Sequence, residues 1–199
     1  MIPSFCSIPD NLPEAETNIR FCLEKLPALK EAAETVTEFI RSCFPEAGLV
    51  RSILFNKNGE LNWSVRWHHD SVICVKEKIE VEGFGPWSLK YGVNHVRIPT
   101  EYLDSMITAR LHLDDANADN GALQVIPGSH RHGFLSRDEI SRMTDKAVLC
   151  EAEPGDLLLM KPMILHHSEH AESSRLRRVL HLEYIYRRLP CGLELVDNP

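Results

Sequence analysis

The chain has 199 residues, 43% of them hydrophobic, and a formal net charge of −7. This length and composition predict a single globular domain over residues 1–199 with one sizeable core. The negative charge argues against a protein that gains its main affinity by neutralising nucleic-acid phosphates. No run of about eighteen apolar residues, the length that a membrane-spanning helix needs, occurs in the sequence. We therefore expect neither nucleic acid nor membrane among its partners.

Six cysteines are scattered along the chain without a Cys-x-x-Cys pair. A domain of this size does not need disulfides to be stable, so the pattern favours reduced thiols. The sequence starts Met1-Ile2-Pro3-Ser4 and shows no basic segment followed by an apolar run, which is the pattern of a secretory signal. These features lead us to expect a cytoplasmic protein.

Residues 1–48 are predicted to form a helical flank. Helical patterns of apolar residues occur around 14–26 and again over 29–43, and Pro45 and Gly48 end the second one. An apolar stripe of this kind indicates a helical layer packed against a sheet.

From residue 49 onward the pattern changes to short apolar stretches separated by Gly, Pro and Asn turns. A Ser-x-x-Glu capping box at Ser136 predicts one short helix among them. The predicted strands cover 49–55, 66–72, 72–75, 106–113, 123–126, 147–152, 156–161 and 177–186, with a loop at 56–59. Many short strands after helices predict a mainly β fold with flanking helices. We expect a double-sheet jelly roll, the double-stranded β-helix of cupin-like proteins, over residues 49–190.

The segment 76–96 has no regular period and contains Gly83, Gly85 and Pro86. Long irregular segments inside compact domains often form lids or binding loops. We therefore interpret this segment as a wall of the functional site, with Trp87 in contact with the substrate. A tryptophan that only covers an edge of the core is the alternative.

The most informative stretch is Trp67-His68-His69-Asp70, considered together with the distant pair His166-His167. On a strand, His68 and Asp70 project from the same face, whereas the residue between them points the other way. A histidine from a distant strand would complete two nitrogens and one oxygen on one face of a metal. This arrangement suits ferrous iron that must bind a cosubstrate and dioxygen together. An ordinary salt-bridged His-x-Asp pair is the alternative.

An arginine follows the second histidine pair at a spacing that allows it to lie beside the metal. Arg177 lies eleven residues after His166, so the chain can turn and place a guanidinium on the neighbouring strand. A dicarboxylate cosubstrate needs such a planar, two-pronged donor for its far carboxylate. Because strand residues alternate, Arg177 is expected to face inward and Arg178 outward.

These motifs resemble those of the phytanoyl-CoA dioxygenase family of Fe(II)- and 2-oxoglutarate-dependent oxygenases. The resemblance runs from about residue 53 to residue 186 and rests on four stretches in matching order and spacing. The stretches are Ile-Leu-Phe-Asn-Lys at 53–57, Trp-His-His-Asp at 67–70, Asp-Asn-Gly-Ala-Leu-Gln-Val-Ile-Pro-Gly-Ser-His at 119–130, and Gly-Asp-Leu at 155–157 leading to Leu-His-His-Ser at 165–168.

The resemblance implies that His68, Asp70 and His166 bind Fe(II). It further implies that Arg177 pairs with the distal carboxylate of 2-oxoglutarate and that the Ser168 hydroxyl supports the same carboxylate. The implied cofactors are Fe(II), 2-oxoglutarate as cosubstrate, and dioxygen.

Two further residues and two departures from the family pattern complete the candidate site. The resemblance places Arg110 near the cosubstrate or substrate and assigns Asn56 to the cosubstrate. Relatives commonly carry Gln where this chain has His69, which we expect to play a structural role because it faces away from the metal. They usually carry a small residue where this chain has His167. The Leu-His-x-Ser frame selects His166 as the ligand.

The activity implied by the resemblance is hydroxylation of a small-molecule substrate with release of succinate and CO2. The carboxylate of Asp70 argues against the related halogenases, in which a small residue replaces it. The chain shows no obvious basic cluster for the phosphates of coenzyme A, so we expect a free metabolite. Two alternatives remain: a cupin-type zinc hydrolase or isomerase, which would give no reason for Arg177 and Ser168, and a non-catalytic small-molecule binding protein on the same scaffold.

Overall fold

The structure is a computed structural model, and it describes Leu12 and residues 16–196. The strands are β1 (Asn18–Arg20), β2 (Gly48–Lys57), β3 (Val65–His68), β4 (Val72–Val75), β5 (Trp87–Lys90), β6 (Val93–Arg97), β7 (Met106–His112), β8 (Leu123–Val125), β9 (Val148–Cys150), β10 (Leu157–Met160), β11 (His166–Ser168) and β12 (Arg177–Ile185). The helices are α1 (Cys22–Lys25), α2 (Lys30–Cys43), α3 (Thr100–Leu103) and α4 (Arg137–Ser141), with short 3-10 turns at Pro27–Leu29, Ala118–Asn120, Ser129–His132 and Thr144–Lys146.

Two antiparallel sheets form the body of the molecule. The first has five strands in the order β1-β2-β12-β7-β10, and the second has four in the order β3-β11-β8-β9. Residues of both sheets line one cavity, so the sheets face each other across it. This arrangement is the double-stranded β-helix, and it confirms the predicted jelly roll.

Helix α2 covers the outer face of the five-stranded sheet. Its buried residues Ala33, Val36 and Ile40 form a hydrophobic cluster with strand residues such as Leu54 and Leu182. Burying each large aliphatic side chain contributes about 1.5–3 kcal/mol. Because strand residues alternate, the opposite face of the same strands is left to line the cavity. The predicted helix over 29–43 is thus confirmed as a packing element, and its first turn is of the 3-10 type.

A third sheet, in the order β4-β6-β5, corrects the interpretation of segment 76–96. The segment contains two paired strands, and Trp87 packs half-buried against a hydrophobic cluster that includes Phe84 and Val96. Trp87 is absent from the lining of the cavity described below. The structure therefore favours the alternative reading, in which Trp87 covers an edge of the core. The glycines and proline that obscured the pattern lie before the first of these strands.

The first predicted helix is also corrected. Among the described residues of the 14–26 region, the structure has the edge strand β1 followed by the one-turn helix α1. Pairing with β2 forms this strand, with Asn18 opposite Phe55 and Arg20 opposite Ile53. The strand β2 itself continues through Lys57, past the start of the predicted loop. Local periodicity contains no information about such a partner.

Two further expectations concern helices. The capping box is present as predicted, since Ser136 caps α4 and Glu139 bonds back to it. Within the part of the chain that the structure describes, no helix is both long and apolar enough to cross a membrane.

Candidate active site

The two candidate histidine ligands lie on paired strands. His68 ends β3, His166 begins β11, and the two residues are direct partners in the register. Their ring centroids are 4.1 Å apart. The Nδ1 atom of His68 lies 2.8 Å from Arg66 O, and that of His166 lies 2.8 Å from Ile164 O. A carbonyl only accepts, so each Nδ1 carries the proton and each Nε2 presents a lone pair.

Asp70 reaches the same point from a loop. The strand ends at His68, so the predicted strand over 66–72 is interrupted, and the Asp70 amide donates to Pro162 O at 2.9 Å. The Asp70 carboxylate lies 3.8 Å from His68 Nε2 and 3.4 Å from His166 Nε2. The loop, and not the alternation of a regular strand, therefore places this carboxylate beside the imidazoles.

The protonation states suit a metal ligand set. Burial would raise the pKa of Asp70, but the hydrogen bond and charge of His166, with His181 and Arg51 nearby, hold that pKa well below its usual range. Burial and the adjacent His166 lower the pKa of His68. Asp70 is therefore a carboxylate and His68 a neutral imidazole at neutral pH.

The spacing of these atoms fits one divalent ion. The three ligand atoms lie within 4.8 Å of one another. Two ligand atoms that are each about 2.1 Å from one ion, at a right angle, would be about 3 Å apart. Small side-chain adjustments bring the observed 3.4 and 3.8 Å to this value. Two nitrogens and one carboxylate oxygen form the facial set that ferrous iron uses.

A second group, formed by Asp70, His181 and Glu183, also brings three ligand atoms within 4.8 Å. In this group, however, the candidate ligand atoms already have partners within the protein, including positively charged arginines. Glu183 pairs with Arg51 and accepts from His181 Nε2 at 3.0 Å, and His181 Nδ1 accepts from Arg110 at 2.9 Å. The metal is therefore better assigned to the group that contains His68 and His166.

Both groups line a cavity of about 310 Å³ between the sheets. Its lining residues are Asn18, Arg20, Arg51, Ile53, Phe55, Trp63, Val65, His68, Asp70, Arg110, Leu123, His166, His167, Ser168, Arg177, His181 and Glu183.

Arg177 is 3% exposed and lines this cavity, whereas Arg178 turns away and pairs with Asp114 at 2.8 Å. The two arginines thus face the sides that strand alternation predicts. Burial and the neighbouring Arg110 lower the pKa of Arg177. Within the described residues, its side chain makes one hydrogen bond, from Nε to Asn120 O at 3.1 Å. The terminal nitrogens are available to a ligand.

The structure adds Lys57, which the sequence analysis did not assign to the site. Its buried Nζ donates to Ser168 Oγ at 3.3 Å and to Glu169 O, and Ser168 in turn donates to Gly121 O at 2.8 Å. Burial and the charge of Arg177 lower the pKa of Lys57 to about 8. A lysine at the end of an otherwise buried strand was the available signal, because lysine is seldom buried without a partner.

Gly121 explains part of the Asn-Gly motif. A Cβ at this position would lie 2.5 Å from Glu169 O and 2.9 Å from Lys57 Nζ, and its φ of +69° suits glycine. The motif therefore lets the chain approach Lys57 closely.

Asn56 is placed elsewhere. It lies on the opposite face of β2 from Phe55, it is absent from the cavity lining, and its Nδ2 donates to Glu16 O at 3.2 Å. The cavity lining therefore gives no support to its assignment to the cosubstrate, and the next residue, Lys57, faces the other side of the strand. Lys57 is the residue of this stretch that contacts Ser168 of the cavity lining.

Of the remaining candidates, Arg110 and His167 line the cavity, whereas His69 does not. Arg110 is buried, lines the cavity, and has its pKa lowered to about 10 by burial, so it stays charged at neutral pH. His69 is absent from the lining and its Nδ1 donates to Met163 O at 2.7 Å, in keeping with a structural role. His167 lines the cavity but its ring packs on Trp67 at 4.0 Å between centroids.

A jelly roll with two histidines and one carboxylate at its cavity is typical of non-haem iron oxygenases. Residues 13–179 match the model of the phytanoyl-CoA dioxygenase (PhyH) family, and the chain belongs to this family. It is accordingly an oxidoreductase of the class that uses Fe(II), 2-oxoglutarate and dioxygen.

Solved structures agree with this fold at low sequence identity. AviO1 from Streptomyces viridochromogenes Tue57 is 20% identical, with a TM-score of 0.58 over 98% of this chain and 75% of its own. EctD from S. alaskensis with bound Fe is 18% identical, with a TM-score of 0.62 over 98% and 66%. The alpha-ketoglutarate-dependent carbocyclase SnoK from nogalamycin biosynthesis is 16% identical, with a TM-score of 0.58 over 84% and 62%. This chain thus spans 62% to 75% of the length of these three proteins. No curated protein sequence matches it significantly.

Proposed function

We propose that this protein is a dioxygenase that hydroxylates a small free metabolite. In the balanced reaction, a substrate C–H bond, dioxygen and 2-oxoglutarate give the hydroxylated product, succinate and CO2. One observation carries the proposal: the Nε2 atoms of His68 and His166 and the carboxylate of Asp70 converge on the cavity that also contains the buried Arg177.

His68, Asp70 and His166 would hold Fe(II) through one face and leave the opposite face open. Bound there, the iron supplies the oxidation chemistry with dioxygen and the cosubstrate. The protein prepares this centre in two ways. The Nδ1 bonds to Arg66 O and Ile164 O fix the imidazole tautomers, and the low pKa of Asp70 keeps its carboxylate charged.

The other end of the cavity provides cations for the distal carboxylate of 2-oxoglutarate. Arg177 offers two terminal nitrogens in a plane, which match the two oxygens of a carboxylate. Lys57 adds a second positive charge next to Ser168. Ser168 donates to Gly121 O, so the lysine ammonium is the better donor to the carboxylate. Arg110 lines the cavity and interacts with the charge of Asp70, so it would contact the end of the cosubstrate nearer the metal.

The size of the cavity supports a small substrate. A volume of about 310 Å³ lies at the lower end of the range for ligand pockets, about 300–1,000 Å³. This space must hold the cosubstrate together with the reacting part of the substrate. A compact metabolite fits this limit.

The experiment is to measure succinate formation by the purified protein with Fe(II), ascorbate, 2-oxoglutarate and air, without a primary substrate. We expect slow uncoupled turnover in the wild type and none in Arg177→Ala. The matched control is Arg178→Ala, which removes an equal charge from the outer face of the same strand and should turn over normally. Absence of turnover in the wild type, together with tight zinc and no binding of 2-oxoglutarate, would favour a hydrolase or a binding protein.

A further inference from the structure

The cavity carries more positive than negative charge. Its lining contains four arginines and two carboxylates, an excess of two positive charges, although the chain as a whole has a net charge of −7. A concave site with one sign of charge concentrates ligands of the opposite sign.

This excess would persist in the loaded site, if the proposed function holds. A divalent iron and a dianionic 2-oxoglutarate cancel each other. At least two positive charges are therefore left for the third component of the reaction, the substrate. A neutral substrate would leave them uncompensated in a largely buried space, which is costly.

Three of the four lining arginines already have a role. Arg51 pairs with Glu183, Arg110 donates to His181, and Arg177 faces the cosubstrate end. Arg20 is different. Within residues 16–196, its side chain has no hydrogen bond or ion pair, and it is half-buried at the wall of the cavity.

The position of Arg20 points to the mouth of the cavity. It lies on the edge strand β1, opposite Ile53 of β2, and Ile53 also lines the cavity. Asn18 lies two residues earlier, so it shares the same face, and it is exposed. The half-buried Trp63 also belongs to the lining.

We propose that Arg20, assisted by Asn18, binds an anionic group of the substrate at the mouth of the cavity. The group is a carboxylate or a phosphate, both of which a guanidinium binds with two parallel hydrogen bonds. The apolar side chains of Ile53 and Phe55 would then contact the part of the substrate that extends toward the metal. The substrate class is accordingly a small metabolite with a carboxylate or phosphate group.

The test measures binding of three probes, benzoate, phenyl phosphate and the neutral analogue benzamide. Each probe is titrated by calorimetry into the anaerobic protein loaded with Fe(II) and saturated with 2-oxoglutarate, so that the Arg177 end is already occupied. The variants are Arg20→Gln and Arg20→Lys. The matched control is Arg188→Gln, which removes an equal charge from an exposed position beyond β12 that does not line the cavity.

We expect at least one anionic probe to bind more tightly than benzamide. Its affinity should fall about tenfold in Arg20→Gln, recover largely in Arg20→Lys and stay unchanged in Arg188→Gln. The tighter of the two anions distinguishes a carboxylate from a phosphate substrate. Preference for benzamide, or an unchanged anion affinity in Arg20→Gln, would overturn the docking site while leaving the proposed function intact. Failure of the initial 2-oxoglutarate titration would overturn both.

Discussion

At the scale of the residue, the adjacent histidines His68 and His69 differ in the direction in which their Nε2 atoms point. Both Nδ1 atoms are bonded to carbonyl oxygens, but only His68 directs Nε2 toward Asp70. His69 instead packs against the edge of Phe134. The chain therefore has one candidate ligand and one histidine in a structural contact in adjacent positions.

This difference gives the first prediction. Asp70→Ala should abolish retention of iron and turnover, because two imidazoles alone hold the ion weakly. His69→Gln should retain the iron, since an amide can replace the donor to Met163 O. Metal content of the purified variants, measured by elemental analysis, checks both. Loss of iron in a folded His69→Gln variant would contradict the assignment.

The second prediction concerns the pH dependence that Lys57 gives to cosubstrate binding. Burial and Arg177 lower the pKa of Lys57 to about 8, so its ammonium is charged at pH 7 and loses its proton as the pH rises through 8. The affinity for 2-oxoglutarate should fall over pH 7–9 in the wild type. In Lys57→Met it should be about tenfold weaker at pH 7 and nearly independent of pH, since a hydrogen bond to a charged group is worth about 1.5–3 kcal/mol. Calorimetric titrations at several pH values measure this.

Lys57 should also make the stability of the ligand-free protein depend on pH. This stability should rise with pH, whereas the affinity for 2-oxoglutarate falls. In the unfolded chain Lys57 keeps its proton up to its usual pKa of about 10.4. Between about pH 8 and this value the unfolded state binds more protons, so the ligand-free protein should gain stability relative to Lys57→Met as the pH rises. Urea unfolding across this range provides the measurement. A constant difference would show that the folded pKa is not lowered.

At the scale of the element, strand β12 presents two arginines to two environments. Arg177 lies in the cavity, and Arg178 forms a two-pronged pair with Asp114 on the other face, with bonds of 2.8 Å. The alternation of a nine-residue strand thus determines both roles.

The third prediction tests these two roles with two substitutions, each of which removes one positive charge. Arg177→Gln should lose most of the affinity for 2-oxoglutarate without loss of stability, because it removes a buried cation that has no acidic partner among residues 16–196. Arg178→Gln should lose about 1 kcal/mol of unfolding free energy and keep its affinity. Urea unfolding and calorimetry on both variants measure the two quantities. The reverse pattern would mean that the strand register is shifted by one residue.

At the scale of the whole molecule, the candidate ligands connect the two sheets. His68 and His166 belong to the four-stranded sheet, whereas Arg177 and Lys57 belong to the five-stranded sheet. A metal with 2-oxoglutarate attached would therefore bridge the sandwich. Ligands that bind only the folded state stabilise it according to their concentration relative to Kd.

The fourth prediction is a thermal shift. Mn(II) and 2-oxoglutarate, each at about 100 times Kd, should together raise Tm by about 10–20 °C, since the gain per ligand is about 2.7 kcal/mol and each kcal/mol corresponds to about 2–4 °C at this size. Asp70→Ala should lose the shift from Mn(II). Differential scanning calorimetry with and without each ligand provides the comparison. Equal shifts in Asp70→Ala would place the metal elsewhere.

Local patterns in the sequence were sufficient for the jelly roll, for helix α2, and for the outward and inward faces of β12. In each case the spacing of the apolar residues indicates which face of the strand or helix is buried. The same patterns led to errors where a partner strand decides the structure. Strand β1 exists through its pairing with β2, and strands β5 and β6 pair in the third sheet. A short segment with weak propensity adopts the conformation that its neighbours can hydrogen-bond.

The sequence by itself determined the chemical types present in the candidate site, since a His-x-Asp motif, a distant histidine and an arginine at fixed spacing follow from residue identity alone. Tertiary structure decided which atoms meet. A loop places Asp70 beside the imidazoles, one step along β2 puts Lys57 and not Asn56 next to Ser168 of the cavity lining, and the edge strand brings Arg20 to the cavity wall. The physical reason is that ligand geometry is a matter of ångströms between residues far apart in the chain. Such distances are determined by strand pairing and packing, which local sequence does not contain.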